Sequence, residues 1–111
     1  MRSFFAALFA AVLAAMLYVT VTASLAEGVF VAGGRLWSEP WFRATLADAY
    51  CGFVAVFVWI AWRERSVAAR TFWFVLLITL GNIAIACYVL IALGRLQPAD
   101  GIDGLFRRKA A

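Results

Sequence analysis

The chain has 111 residues, of which 67% are hydrophobic and only 14% are charged. Because soluble domains average roughly 45–50% apolar residues, this composition excludes an ordinary soluble globule and predicts that lipid surrounds most of the chain. The net charge of +4 arises from ten basic and six acidic residues, and most of the basic residues flank apolar runs. No basic face alternates with exposed aromatic residues, so these charges predict contact with a lipid bilayer and not with nucleic acid.

Histidine is absent, and the two cysteines, Cys51 and Cys87, lie inside apolar runs. Histidine-ligated haem is therefore excluded, and the pattern supports neither a CxxC redox pair nor a zinc site. We expect both cysteines to be small packing residues and the protein to carry no cofactor and no metal.

The first apolar run covers residues 4–26 and follows Arg2. At 1.5 Å per residue it is long enough to cross a hydrocarbon core of roughly 30 Å, which predicts a first transmembrane helix. A cleaved signal peptide is the alternative, because Ser24 and Ala26 flank Leu25 in the small-x-small pattern of a cleavage site. The run exceeds the roughly 7–15 apolar residues of a signal, and two further runs follow, so we prefer the retained helix.

Residues 27–41 interrupt the apolar pattern with a glycine pair and Pro40, and are too polar to span. The tryptophans of this segment favour a loop lying on the membrane interface. Ser38 is a candidate N-cap, and proline is typical of a first helical turn. A second helix is therefore expected to begin near Glu39.

The second span is predicted over about 42–62 and the third over about 71–95. The connector of residues 63–70 is so short that these two helices should be antiparallel neighbours. Residues 96–111 are predicted to form an exposed cationic tail, whose apolar pair Leu105-Phe106 dips into the interface and gives the tail a weak electrostatic hold on anionic lipid. The predicted fold is thus all-α, an integral membrane three-helix transmembrane bundle with an interfacial loop between helices one and two. It forms a single transmembrane domain over 1–111.

The distribution of arginines leaves the orientation ambiguous. A three-span chain places the N-terminus and the 63–70 loop on one face of the membrane. The cations on that face are Arg2, Arg63, Arg65 and Arg70, whereas the other face carries Arg35, Arg43, Arg95, Arg107, Arg108 and Lys109. The second face has more cations, but the first has the greater density beside the membrane and holds the first helix. We therefore expect the N-terminus and the 63–70 loop to be cytoplasmic, in a bacterial inner membrane.

Asp48 is the charged residue placed inside a predicted span, where a carboxylate costs roughly 2.5–3.5 kcal/mol at the helix centre. Counting from the 63–70 loop, Asn82 on the third helix reaches nearly the same depth. The candidate intramembrane polar cluster at this depth comprises Asp48, Asn82, Tyr18, Thr22, Thr45 and Thr79. Three interpretations remain open: hydrogen bonding between helices, a site for an ion, proton or small polar ligand, or an aspartate that reaches the interface.

A second group surrounds the 63–70 loop and combines tryptophans with charged residues. This candidate interface collar comprises Trp59, Trp62, Arg63, Glu64, Arg65, Arg70 and Trp73. Tryptophans at the headgroup level with arginines just beyond are typical of membrane interfaces, and docking of a partner is the alternative. No nucleophile is paired with a base, so the sequence predicts no catalytic residue and no enzyme.

A combination of short motifs resembles a family of small three-span proteins of bacteria and plants, catalogued as domain of unknown function fourteen seventy-five. The motifs are Pro40-Trp41-Phe42, Thr45-Leu46, Asp48-Ala49-Tyr50, Gly52-Phe53, Trp59, Trp62-Arg63-Glu64, Ser66, Arg70, Leu80-Gly81-Asn82-Ile83-Ala84 and Tyr88. The resemblance covers about residues 14–96. It implies a membrane protein without an established activity, so it transfers no catalytic residue.

These observations give one preferred hypothesis for function and one alternative. The preferred hypothesis is a non-enzymatic membrane protein that associates through helix–helix contacts, either as an accessory subunit of another membrane protein or as a homo-oligomer. The alternative is a small oligomeric transporter or a permeation module for ions or protons that uses Asp48 and Asn82.

Overall fold

The computed structural model describes residues 1–109, and within that range it contains only helical elements. They are α1 (Arg2–Ala26), α2 (Val29–Leu36), α3 (Pro40–Arg63), α4 (Val67–Leu80), α5 (Asn82–Gly94) and a 3₁₀ helix (Ile102–Phe106), here called the terminal turn. The prediction of an all-α fold is confirmed.

Two of these helices, α1 and α3, are long and apolar enough to cross a membrane. Their 25 and 24 residues correspond to about 37 and 36 Å of helix, more than a hydrocarbon core of about 30 Å. They match the spans predicted over 4–26 and 42–62 to within two residues. The third predicted span is not confirmed, because its residues form two shorter helices.

The chain reverses direction at Gly81 and forms a helical hairpin from α4 and α5. The ring centroids of Trp73 and Tyr88 lie 4.8 Å apart across this hairpin. In one continuous helix the same two residues, fifteen positions apart, would be separated by about 22 Å. The single helix predicted over 71–95 is corrected accordingly: α4 and α5 are antiparallel, and each is about 20 Å long.

Gly81 permits this reversal because its backbone has φ 56° and ψ −119°, a conformation that residues with a Cβ rarely adopt. A Cβ at this position would also lie 2.7 Å from Cζ of Phe53 on α3. Close by, the hydroxyl of Tyr50 donates a hydrogen bond of 2.9 Å to the carbonyl of Ile78 and so satisfies one of the last carbonyls of α4. The turn is thus specified by both backbone geometry and contact with α3.

The hairpin brings the N-terminus of α1 and the C-terminus of α5 to the same end of the molecule. α1 packs along α5, α3 packs along α4, and the guanidinium of Arg2 donates to the carbonyl of Gln97 at 2.8 Å. We call this end, which also holds the connector between α3 and α4, the cationic end; the other is the opposite end. The C-terminal cations therefore lie at the same end of the molecule as Arg63 and not at the other end, which corrects the predicted distribution.

The buried core also lies toward the cationic end. One cluster consists of Ile60, Leu77, Ala84 and Tyr88, and a second consists of Val89, Ala92, Leu93 and Leu105. No residue of α1 is buried, and α1 and α3 have almost no direct contact with each other. The two long helices are therefore held together through the hairpin between them.

The predicted interfacial loop over 27–41 is mostly helical, because residues 29–36 form α2. Arg35 of this short amphipathic helix forms an ion pair of 2.8 Å with Glu27, which precedes the helix. The residue at the N-cap of α3 is Glu39 and not Ser38, which corrects the predicted cap, and Pro40 occupies the first turn as expected.

The predicted exposed tail folds back onto the helices. Its terminal turn buries Gly104 and Leu105, which packs with the second core cluster, whereas Phe106 stays exposed. The apolar pair of the tail was predicted to dip into lipid, but Leu105 contacts protein instead. The last two residues of the predicted tail, 110 and 111, lie outside the described residues.

Candidate functional site

Four side chains at the cationic end form a cluster, here called the buried ion-pair cluster: Arg63, Glu64 and Tyr88, which are buried, and Lys109, whose side chain is 34% exposed. Arg63 is the last residue of α3, and only 6% of its surface is exposed. Its Nε donates to the hydroxyl of Tyr88 at 3.2 Å, and its Nη1 donates to the carbonyl of Leu105 at 2.7 Å. The guanidinium therefore joins three parts of the chain: α3, α5 and the terminal turn.

Glu64 is the carboxylate of this cluster and is 5% exposed. It accepts a hydrogen bond of 2.8 Å from the hydroxyl of Tyr88 and forms an ion pair of 2.6 Å with Nζ of Lys109. Burial by itself would raise the pKa of Glu64, but the hydrogen bonds from Lys109 and Tyr88 and the charge of Arg63 outweigh burial and lower the pKa. Glu64 is therefore ionised at neutral pH.

Aromatic rings enclose Tyr88 from two sides. The rings of Trp59 and Trp73 pack edge-on against it, with centroids 5.3 and 4.8 Å away. The indole nitrogen of Trp59 donates a hydrogen bond of 2.9 Å to the carbonyl of Leu105. Such edge-to-face pairs contribute about 0.5–1.5 kcal/mol beyond their buried area, so the rings hold the Tyr88 hydroxyl between the charged groups.

The remaining residues of the predicted collar donate hydrogen bonds to backbone carbonyls of the connector and of the tail. Arg70 donates to the carbonyl of Glu64 at 2.9 Å, and Arg65 donates to the carbonyl of Lys109. The indole nitrogen of Trp62 reaches the carbonyl of Phe106 at 3.4 Å, and the guanidinium of Arg108 lies 5.0 Å from the Trp62 ring. The seven predicted collar residues thus lie in one contact network, although the anchoring role predicted for them is not tested by these contacts.

Sequence reasoning did not single out Tyr88 or Lys109 as site residues. Tyr88 was noted only as one of the residues that carry the family resemblance and as a hydroxyl within an apolar run, and Lys109 was counted as one of several cations in the tail. Both residues enter the site because the hairpin returns α5 toward α3 and the tail then folds over them. Because Glu64 is paired with Lys109 and Arg63 donates to Tyr88 and to carbonyls of the terminal turn, the cluster holds these three segments together.

The predicted intramembrane polar cluster is more dispersed. Asp48 and Asn82 are both exposed, and Tyr18 is 72% exposed. The hydroxyls of Thr22, Thr45 and Thr79 donate to carbonyls of their own helices. Within residues 1–109 no hydrogen bond joins any two of these six side chains, so the role proposed for them stays a prediction.

The described part of the chain offers no group of three or more histidine, cysteine, aspartate or glutamate side chains that could hold a metal ion. It does contain an open pocket of about 530 Å³ at the cationic end. Arg63 and Tyr88 line one side of this pocket, and Arg95, Asp100 and residues of the tail line the others. A volume in the range of about 300–1,000 Å³ is typical of sites for small ligands.

Comparison with known proteins gives one match. No curated protein and no solved structure matches the chain. The model of the family described as protein of unknown function (DUF1475) matches residues 1–110, nearly the whole length, so the suspected resemblance is confirmed. The chain belongs to the DUF1475 family of proteins of unknown function.

Proposed function

We propose that this chain is a non-enzymatic integral membrane protein that acts by lateral association with another membrane protein or with further copies of itself. The observation that carries this proposal is the separation of α1 and α3 at the opposite end of the molecule. The hairpin supports only about the first 20 Å of α3, measured from Arg63. Beyond it most side chains of both helices are exposed, although Phe42 and Leu46 of α3 are half-buried beside α2. A partner helix has room to pack there.

Asp48 supplies an energetic reason for such a partner. It is the ninth residue of α3, about 12 Å along the axis from Pro40, and it is exposed. A carboxylate facing hydrocarbon is costly, and hydrogen bonds across a helix–helix contact contribute about 0.6 kcal/mol each on average. Association that covers Asp48 with polar groups removes a cost that the isolated chain bears.

The distribution of cations supports an orientation. Two spans and a hairpin place eight of the ten basic residues at the cationic end: Arg2, Arg63, Arg65, Arg70, Arg95, Arg107, Arg108 and Lys109. The opposite end has only Arg35 and Arg43. Basic residues near spans favour the cytoplasmic face, so we infer that the cationic end faces the cytoplasm of a bacterial inner membrane. Reporters fused after Ala111 test this: activity of a periplasmic reporter and silence of a cytoplasmic one would refute the orientation.

The association itself is tested by the size of the complex in native-lipid particles, with Asp48→Asn and Asp48→Leu beside the wild type. We expect the wild type to be larger than a monomer, Asp48→Asn to keep the complex, and Asp48→Leu to dissociate it. Val54→Leu is the matched control, because Val54 is also exposed on α3 but carries no polar group. A wild type that is monomeric in native lipid would contradict the proposal.

Transport by an oligomer is the second candidate, and the break at Gly81 favours it. Asn82 begins α5 at the tip of the hairpin, at nearly the depth of Asp48. Interrupted helices at membrane depth are tolerated where they are covered by protein or line a water-filled cavity, and transporters use such half-helices for their sites. Flux of protons or sodium into proteoliposomes that disappears in Asp48→Asn but persists in Val54→Leu would support this candidate over the first.

A further inference from the structure

We propose that the pocket at the cationic end binds the phosphate group of an anionic phospholipid between the guanidinium groups of Arg63 and Arg95. Neither the family description nor the proposed function assigns a ligand to this pocket. The association proposed above supplies only the membrane setting, because the site itself is built within a single chain.

Arg63 is the first reason. It is more than nine-tenths buried, and it lines the pocket. Its Nε and Nη1 donate to Tyr88, Gly104 and Leu105, whereas its Nη2 donates to no group of the described residues. A buried guanidinium with a spare donor facing a pocket is complementary to an anionic oxygen.

The balance of charge around the pocket is the second reason. The lining contains four cations, Arg63, Arg95, Arg107 and Lys109, and one acid, Asp100. Arg107 is paired with Asp100 at 3.1 Å, and Lys109 is paired with Glu64 at 2.6 Å. In the part of the chain that the structure describes, Arg63 and Arg95 have no carboxylate within ion-pair distance, so two positive charges of the pocket remain without an anion.

The surroundings of the pocket point to a lipid as the source of the phosphate. Trp59 packs against the pocket residue Tyr88, and the indole N–H groups of Trp59 and Trp62 donate to carbonyls of the tail; tryptophans at a membrane interface are typical of the headgroup level. Ala92 and Leu96 add an apolar portion to the lining. A phosphate oxygen could therefore meet the guanidinium groups while the adjoining glycerol and acyl carbons meet apolar side chains.

The test uses the purified full-length protein in mild detergent, titrated with dioleoyl phosphatidylglycerol, with dioleoyl phosphatidylcholine, or with inorganic phosphate. The thermal midpoint and the retention of lipid in native mass spectrometry are the readouts. We expect phosphatidylglycerol to raise the midpoint and to be retained, and phosphatidylcholine to have a much smaller effect. Arg95→Gln should weaken phosphatidylglycerol binding about tenfold or more, equivalent to about 1.4 kcal/mol, because the lipid phosphate loses one of its two guanidinium partners.

Arg95 suits the test because it is exposed and forms no side-chain hydrogen bond within residues 1–109, so its replacement should leave the fold intact. Arg43→Gln at the opposite end changes the net charge equally and should bind lipid like the wild type.

Arg63→Lys keeps the charge but removes the forked donor, and weaker binding by this variant would support the site. Equal binding by wild type and Arg95→Gln would overturn the proposal, as would equal weakening by Arg43→Gln. If inorganic phosphate raises the thermal midpoint, phosphatidylglycerol does not, and Arg95→Gln abolishes the effect of phosphate, the proposal that the ligand is a lipid would be overturned. Because none of these measurements depends on oligomer size, failure here is distinct from failure of the proposed association.

Discussion

Replacing Tyr88 with phenylalanine isolates the contribution of one hydroxyl to the buried ion-pair cluster. The phenylalanine ring keeps the edge-on contacts with Trp59 and Trp73, whereas the hydrogen bonds of 2.8 Å to Glu64 and 3.2 Å from Arg63 disappear. Each bond involves a charged partner, and both partners are buried. Such bonds contribute about 1.5–3 kcal/mol each, and relaxation of the neighbouring side chains recovers part of the loss. We therefore expect the free energy of unfolding to fall by about 2–3 kcal/mol.

The assay is unfolding of the purified protein in mixed micelles with a rising fraction of denaturing detergent, followed by tryptophan fluorescence. Two tryptophans contact the Tyr88 ring, so the signal reports on this region directly. Tyr18→Phe is the matched control, because Tyr18 is 72% exposed and should lose less than about 0.5 kcal/mol. Tyr50→Phe should fall between the two, since it loses one bond to a carbonyl. Equal stabilities of Tyr88→Phe and Tyr18→Phe would refute the role assigned to the cluster.

Three further outcomes are expected. The pKa of Glu64 is lower in the folded protein than in the unfolded chain, so its ionised carboxylate stabilises the fold above the unfolded pKa of about 4.3. This stabilisation is lost as the pH falls through the lower folded pKa. The acid unfolding curve should therefore be steeper for the wild type than for Glu64→Gln. Gly81→Ala should cost about 1–3 kcal/mol in the micelle assay through its positive φ and its contact with Phe53, whereas Gly94→Ala, which meets no neighbour, should be neutral or stabilising; equal effects would disprove the strained turn. Lys109→Gln should cost about 1–3 kcal/mol because it leaves the Glu64 carboxylate without its ammonium partner, and Arg43→Gln serves as the control with an equal change in net charge.

The long helices could be predicted from sequence because their signals are local. An apolar run of sufficient length defines α1, and Pro40 together with the preceding polar residues marks the start of α3. Hydropathy depends on composition alone, so it cannot distinguish one span over 71–95 from two half-length helices. The distinguishing feature was the positive φ of Gly81, at a position where a Cβ would collide with Phe53 of another helix.

The candidate site was predicted in part. The collar of tryptophans and charged residues was identified from sequence because its members are close together along the chain. Its partners Tyr88 and Lys109 are 24 and 45 positions from Glu64, and only the reversal at Gly81 and the folded tail bring them close. The opposite error affected Leu105, which was predicted to dip into the membrane interface although its side chain packs in the core cluster beside Trp59.

The half-length hairpin also gives the molecule a tapered shape. Four helices meet at the cationic end, but only α1 and α3 continue past the tip at Gly81, where the short α2 lies beside their ends. If α1 and α3 cross a bilayer as proposed above, the protein displaces more lipid from the leaflet at the cationic end than from the other leaflet. A wedge of this shape is accommodated at lowest cost where that leaflet is expanded. Membrane curvature, in addition to lipid charge, should therefore influence where the protein accumulates.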